Sequence, residues 1–133
     1  GQYQEAENYF LRAVAEPSYI NTAAAYENAG LCATLIPNWQ KAGYYFEQAL
    51  AKDPNRANSL YELSRIKARQ HHPLQAQRYL NRYFNLAGSR ASKAALQLAY
   101  KLAHQLHQKQ KAQEYAKLLK QRFPQHSSTL KRG

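Results

Sequence analysis

The sequence has no methionine, one cysteine, and only five residues each of proline and glycine among its 133. So few prolines and glycines argue against long loops. A single thiol, Cys32, cannot form a disulfide within the chain. The sequence contains no apolar run of about 18 residues, the length that a membrane-spanning helix needs. It also lacks the alternating β-branched residues that are typical of strands.

Acidic residues are scarce, with eight against nineteen Lys and Arg, for a net charge of +11. Residues 1–56 hold four basic and six acidic residues, a balance of −2, whereas residues 57–133 hold fifteen and two, a balance of +13. An anionic partner would therefore meet the second half first. The carboxylates are too few for paired acid–base chemistry, and no glycine-rich phosphate loop is present. We expect no enzymatic activity and no cofactor.

What the sequence has in abundance is a repeated frame. Ala42 is followed by a Tyr-Phe pair at offsets of three and four, by Ala49 at seven, and by Pro54 at twelve. Similar frames begin at Ala6, Ala76 and Ala112. The four leading alanines are therefore spaced by about 34 residues, which is the signature of the tetratricopeptide helix-turn-helix repeat.

The spacing has a physical cause. Two helices of about 13 residues with two tight turns occupy about 34 residues. The alanine allows close helix approach, the aromatic residues continue the same face, and the proline ends the helix. We predict an all-α tetratricopeptide-repeat fold, a right-handed superhelix of antiparallel helix pairs over residues 1–124. The predicted units are a half repeat (1–18), three repeats (about 23–56, 57–90 and 91–124) and a basic tail (125–133).

The frame predicts seven helices, at about 2–15, 21–35, 39–51, 57–70, 74–87, 91–107 and 110–122. Asn21 or Thr22 is expected to cap the second helix, and Ser89 or Ser92 the sixth. Gly30 lies within the second helix, where glycine costs roughly 1 kcal/mol relative to alanine, so we expect it to permit a close helix crossing. A start in mid-repeat without methionine predicts a piece of a longer protein, trimmed at its N-terminus.

The first helix of each unit is expected to line a concave groove that binds partners. Counting positions along those helices gives a groove that begins partly apolar and becomes basic. The side chains predicted to bind a protein partner are Glu27, Asn28, Leu31, Tyr61, Arg65, Arg69 and Lys101. The alternative is that these charges are only solvated.

Histidine and aromatic residues suggest two other kinds of site. His71 and His72 lie in a turn, and His104 and His107 lack a third ligand nearby, so we expect no metal. A basic surface with tyrosines could bind nucleic acid. However, Tyr79, Tyr83 and Tyr115 fall on packing positions of the repeat and are expected in the core. No nucleic-acid partner is therefore predicted.

Two stretches resemble a known family. The run from Ala25 to Cys32, followed by Ala42 to Leu50 and Asp53-Pro54, is similar to the type IV pilus biogenesis lipoproteins PilF and PilW. The Tyr-Leu-Asn-Arg-Tyr segment that ends at Tyr83 is also similar. The Asn-Ala-Gly-Leu-Cys run is the distinguishing part.

The resemblance implies a pilotin, which helps the secretin subunit of the type IV pilus reach the outer membrane and assemble into its ring. It implies a place on the periplasmic side of the outer membrane, held through a lipid anchor outside this chain. Family members commonly carry a second cysteine in the preceding repeat, so Cys32 could pair with a cysteine in a missing N-terminal part.

The competing interpretation is a cytosolic tetratricopeptide adaptor or co-chaperone that binds an acidic peptide C-terminus. Such a clamp needs a lysine and two asparagines on adjacent first helices. Only Asn28 is suitably placed here, with Leu31 where a second polar group would be expected. Arg65 and Lys101 could supply the remaining polar contacts to the carboxylate.

Overall fold

A computed structural model describes residues 1–15 and 22–124. Within these ranges the chain forms helices and no strands. The α-helices are α1 (Gln2–Ala15), α2 (Thr22–Leu35), α3 (Trp39–Lys52), α4 (Ala57–Arg69), α5 (Pro73–Ala87), α6 (Lys93–Gln105) and α7 (Lys109–Arg122), with a 3₁₀ turn at Gly88–Arg90 between α5 and α6. The predicted cap Asn21, the end of the half repeat and the tail 125–133 lie outside the described residues.

Helices adjacent in sequence pack against each other, and α2/α3, α4/α5 and α6/α7 form the three pairs. The predicted all-α superhelix is confirmed. Helix bounds agree closely except at α6, which was predicted to cover 91–107 and is two residues shorter at each end. At its start, Ser92 is the N-cap and its Oγ accepts a hydrogen bond from the Ala95 amide at 3.1 Å.

The turn inside each of the last two pairs ends its first helix in the same way. His71 and His107 adopt left-handed φ values of 63° and 59°. The amide after each histidine donates back to a carbonyl of the preceding helix, from His72 to Lys67 at 2.9 Å and from Gln108 to Ala103 at 2.8 Å. This is the Schellman arrangement, usually built with glycine. It explains why α6 stops at Gln105.

The core runs continuously from α2 to α6, and its largest fully buried side chains include Phe46, Leu60, Leu63 and Leu80. The expectation for Gly30 is met, because a Cβ built there would lie 2.8 Å from two ring atoms of Phe46. Real Cβ atoms do not come that close to a neighbour, so the α2/α3 crossing requires glycine at this position.

In each pair, one position on the first helix and one on the second combine a small and a large side chain, and the helix that carries the large one differs between pairs. The first pair has Gly30 facing Phe46, and the second has Ser64 with Leu80. Ser64 is fully buried, and its hydroxyl donates to the Ala76 carbonyl at 2.7 Å. In the last pair the large residue is Tyr100 and the small one is Ala116, and both line an open cavity of about 650 Å³ between α6 and α7.

Candidate protein-interaction face

We call the exposed and half-buried side chains of α2, α4 and α6 the first-helix face. The predicted partner-binding residues all lie on these three helices. Their surroundings divide them into two ionic clusters, a stacked arginine and a set of open side chains.

Glu27 lies deepest, with only 8% of its surface exposed. Its carboxylate accepts hydrogen bonds from Arg56 Nη2 at 3.2 Å and Nε at 3.3 Å, and from the Ser59 hydroxyl at 2.5 Å. Arg56 precedes α4 and Ser59 lies in its first turn. The cluster therefore joins α2 to the start of the next pair and fixes one first helix against the other.

The middle of the face carries a second ion pair. Arg65 Nη1 lies 2.9 Å from Glu62 Oε2, and its guanidinium is 5.9 Å from the Tyr61 ring centroid. The Tyr61 ring lies 5.8 Å from that of Tyr83 in α5. Burial raises the pKa of Glu62 against the lowering effect of Arg65, and the nearby charge of Glu27 raises it further. The short ion pair with Glu62 offsets much of the positive charge of Arg65, so Arg65 adds little to the basic character of the face.

Arg69, at the end of α4, stacks on an aromatic residue. Its guanidinium carbon lies 4.1 Å from the ring centroid of Trp39, the first residue of α3. This is a cation–π geometry, which leaves the edge of the guanidinium free for further hydrogen bonds. Trp39 is half-buried and packs against the core.

The remaining predicted residues are open to solvent. Asn28 and Lys101 are exposed, and Leu31 is 37% exposed. Leu35 and Ile36 extend the apolar end with 57% and 40% of their surfaces exposed. The face thus offers an apolar end on α2 and a basic end at Arg69 and Lys101, separated by two ion pairs.

The fold of this chain is similar to those of several solved structures. The chain superposes on PilW, described as a widely conserved type IV pilus biogenesis factor, with a TM-score of 0.82 and 28% identity over 96% of this chain. It superposes on PilF of Pseudomonas aeruginosa with a TM-score of 0.87 and 22% identity over 98% of this chain. The fold is that of the tetratricopeptide repeat.

A third neighbour is MamA, with a TM-score of 0.70 and 17% identity over 81% of this chain and 62% of that protein. The PilF and MamA matches, at such low identity, establish the fold alone. The chain spans 59% of the length of both PilW and PilF. No protein-family model and no curated protein matches it.

Three other kinds of site were considered from the sequence: a metal site, a basic surface with tyrosines, and a membrane-spanning helix. Within residues 1–15 and 22–124, no three His, Cys, Asp or Glu side chains come together as a metal site would need. Tyr83 is buried and its hydroxyl accepts from the Ser92 amide at 3.0 Å, while Tyr79 and Tyr115 are half-buried against the core. Among the described helices, none combines the length and apolar character needed to cross a bilayer.

A buried acid lies near the other end of the molecule. Glu7 in α1 is fully buried and pairs with Lys41 Nζ of α3 at 2.8 Å. Burial, followed by the charge of Glu7, raises the pKa of Tyr45 to about 12 and also raises that of the Cys32 thiol. Cys32 is half-buried, and a raised pKa keeps its thiol protonated and weakly reactive at neutral pH.

Sequence reasoning missed the partners that organise the face. Arg56 and Ser59 lie 29 and 32 residues from Glu27, and no local pattern links them. It also passed over Arg78 and Arg82, which lie on α5 outside the first-helix face. Their spacing of four residues was a readable signal that both point from one side of the helix.

Proposed function

We propose that this chain is a non-enzymatic protein-interaction scaffold of type IV pilus biogenesis. Specifically, it would act as a pilotin that assists outer-membrane targeting and multimerisation of the secretin. The observation that carries the proposal is the likeness to PilW, with 28% identity over 96% of this chain. The resemblance of the Asn-Ala-Gly-Leu-Cys run supports the same proposal.

The first-helix face is the proposed secretin-binding surface. Leu31, Leu35 and Ile36 expose aliphatic surface at one end, and apolar side chains of this kind anchor partner segments. Arg69 and Lys101 supply positive charge at the other end, where a carboxylate of the partner can be bound. Glu27 takes a positioning role here, since its carboxylate is already occupied by Arg56 and Ser59.

We place the protein on the periplasmic side of the outer membrane, attached through a lipid anchor outside this chain. The neighbours' role in pilus biogenesis supports an envelope location. We expect partner binding to need neither a cofactor nor a nucleic acid.

The test is a pull-down of purified secretin subunit by this chain. One variant removes the basic end (Arg69→Gln with Lys101→Gln), and another removes the apolar end (Leu31→Ser with Leu35→Ser). The matched control, Lys52→Gln with Lys111→Gln, loses the same charge from exposed positions on second helices. We expect at least about a tenfold loss of affinity in one face variant, because interface anchors contribute about 2 kcal/mol or more.

The outcomes separate the alternatives. Loss confined to a face variant supports the assignment and identifies which end binds. Equal loss in the control would mean that net charge, not this face, attracts the secretin. If the parent chain binds no secretin but binds a peptide with an acidic C-terminus, the adaptor interpretation replaces the pilotin.

A further inference from the structure

The exposed side of α5 carries a row of side chains that the proposed function does not use. Leu74, Arg78, Arg82 and Leu86 follow one another at intervals of four residues. All four are exposed, with Leu74 at 57% and Leu86 at 44%. At a rise of 1.5 Å per residue the row spans about 18 Å. We call it the α5 ridge.

Below the ridge lies an open recess of about 560 Å³ between α3, α4 and α5. Its lining residues are Glu47, Lys67, Gln75, Arg78, Tyr79 and Arg82. Lys67 Nζ lies 3.3 Å from Glu47 Oε1, so these two charges balance each other. Arg82 donates one hydrogen bond to the Pro54 carbonyl at 3.2 Å, which orients its guanidinium while leaving other N–H groups open. The recess therefore has two arginine charges in excess.

The matching rows of the neighbouring second helices differ. On α3 the equivalent residues are Gln40, Tyr44, Gln48 and Lys52, and on α7 they are Gln110, Glu114, Leu118 and Arg122. Neither row combines two adjacent arginines with a leucine at each end. The α5 ridge is thus a local feature and not a property of the repeat frame.

The surrounding charge is strongly positive. Residues 69–124 contain eleven Lys and Arg residues and a single acid, Glu114. Among the ion pairs of the described residues, none involves a basic residue beyond Lys67. Unneutralised charge of this density attracts an extended anionic surface over several ångströms at physiological salt.

We propose that the α5 ridge binds the surface of a membrane that contains anionic phospholipids. The arginines contact lipid phosphates, for which guanidinium geometry is suited, and the leucines enter the apolar boundary just beneath. A protein partner fits less well, since protein interfaces place apolar anchors at the centre and charges at the rim. On the α5 ridge the charges are central and the leucines are at the ends.

Flotation of the intact chain with lipid vesicles tests the proposal without any secretin, so the result is independent of the proposed function. The vesicles are phosphatidylcholine alone or with about 30% phosphatidylglycerol. We expect binding only to the anionic vesicles, and weaker binding at higher salt. Arg78→Gln with Arg82→Gln should lower the partition coefficient about thirtyfold, because each basic residue near such a surface contributes about fivefold.

Two further variants define what the result means. Lys93→Gln with Lys101→Gln removes the same charge from α6, and should reduce binding far less because these residues are outside the α5 ridge. Leu74→Ser with Leu86→Ser keeps the charge and should weaken binding at every salt concentration. Circular dichroism of each variant verifies that it is folded.

The proposal is overturned if the parent chain does not float with anionic vesicles, or if the α5 and α6 charge variants lose binding equally. It is also overturned if a soluble polyglutamate peptide binds the α5 ridge while vesicles do not, which would make the partner a protein. Inorganic phosphate or glycerol phosphate that binds as tightly as vesicles would point to a soluble ligand instead.

Discussion

The first and last helix pairs share one sequence frame but solve the packing problem in opposite ways. In α2/α3 the first helix provides Gly30 and the second provides the buried Phe46. In α6/α7 the first helix provides Tyr100 and the second provides Ala116, and an open cavity remains between them. A core accepts exchanges that approximately preserve volume. The repeat therefore does not specify which of the two helices carries the larger side chain.

The junctions between pairs differ as well. The start of α4 is held to α2 by the buried Glu27 carboxylate with Arg56 and Ser59. The start of α6 is held by a neutral bond from the Ser92 amide to the Tyr83 hydroxyl. The early pairs are thus joined by charge, and the later pairs carry charge that points outward. Three substitutions test these two contrasts, the first at the junction and the others in the packing of the pairs.

The largest effect is expected from Arg56→Met. It leaves the Glu27 carboxylate buried with only Ser59 as a partner, so the free energy of unfolding should fall by about 2–3 kcal/mol. The value is at the low end because a quarter of the Arg56 side chain is exposed. Urea unfolding measures the change. The double variant with Glu27→Gln should recover part of the loss, and a double variant as unstable as the single one would contradict the ionic junction.

Gly30→Ala should come next, with a loss of about 1–2 kcal/mol. The new methyl group would lie 2.8 Å from the Phe46 ring, and the overpacking outweighs the gain in helix propensity. Gly43→Ala is the matched control, because a Cβ there meets Ile66 at an ordinary 3.6 Å. It should gain up to about 1 kcal/mol in thermal unfolding. The size argument fails if both variants shift in the same direction.

The smallest change is expected from Ala116→Leu, which places in the last pair the residue that the second pair has at Leu80. Tyr100 and Ala116 line an open cavity, so we expect a gain of up to about 1 kcal/mol from added apolar burial. Ala76→Leu is the control at a fully buried position, and it should lose stability through overpacking. A destabilised Ala116→Leu would mean that the cavity walls cannot accommodate added volume.

Much of the fold could be predicted from the sequence because its determinants are local. The alanine, aromatic and proline offsets fix which face of each helix is buried and where it ends, and Gly30 could be expected at a close crossing. The end of α6 could not be predicted, because the residue in the left-handed conformation there is His107 and not the glycine that usually marks such a position.

The candidate face was less predictable because its partners are remote in sequence. Counting positions placed Glu27 and Arg65 on the first helices. Whether a charge is free depends on how successive pairs stack, and that stacking brings Arg56 to Glu27. The partner-binding set itself stays a prediction until the pull-down is done.

The unequal distribution of charge makes ionic strength act on the two ends of the molecule in opposite ways. Salt weakens partly exposed ion pairs such as that of Lys67 with Glu47, which joins α4 to α3, and so loosens the early helices slightly. In α5 to α7, where Glu114 is the only acid among many Lys and Arg residues, the same salt relieves self-repulsion and favours the compact state. Because charge is distributed so unevenly, no single ionic strength gives both ends of the chain their greatest stability. The two ends should therefore unfold in a different order in dilute and in concentrated salt.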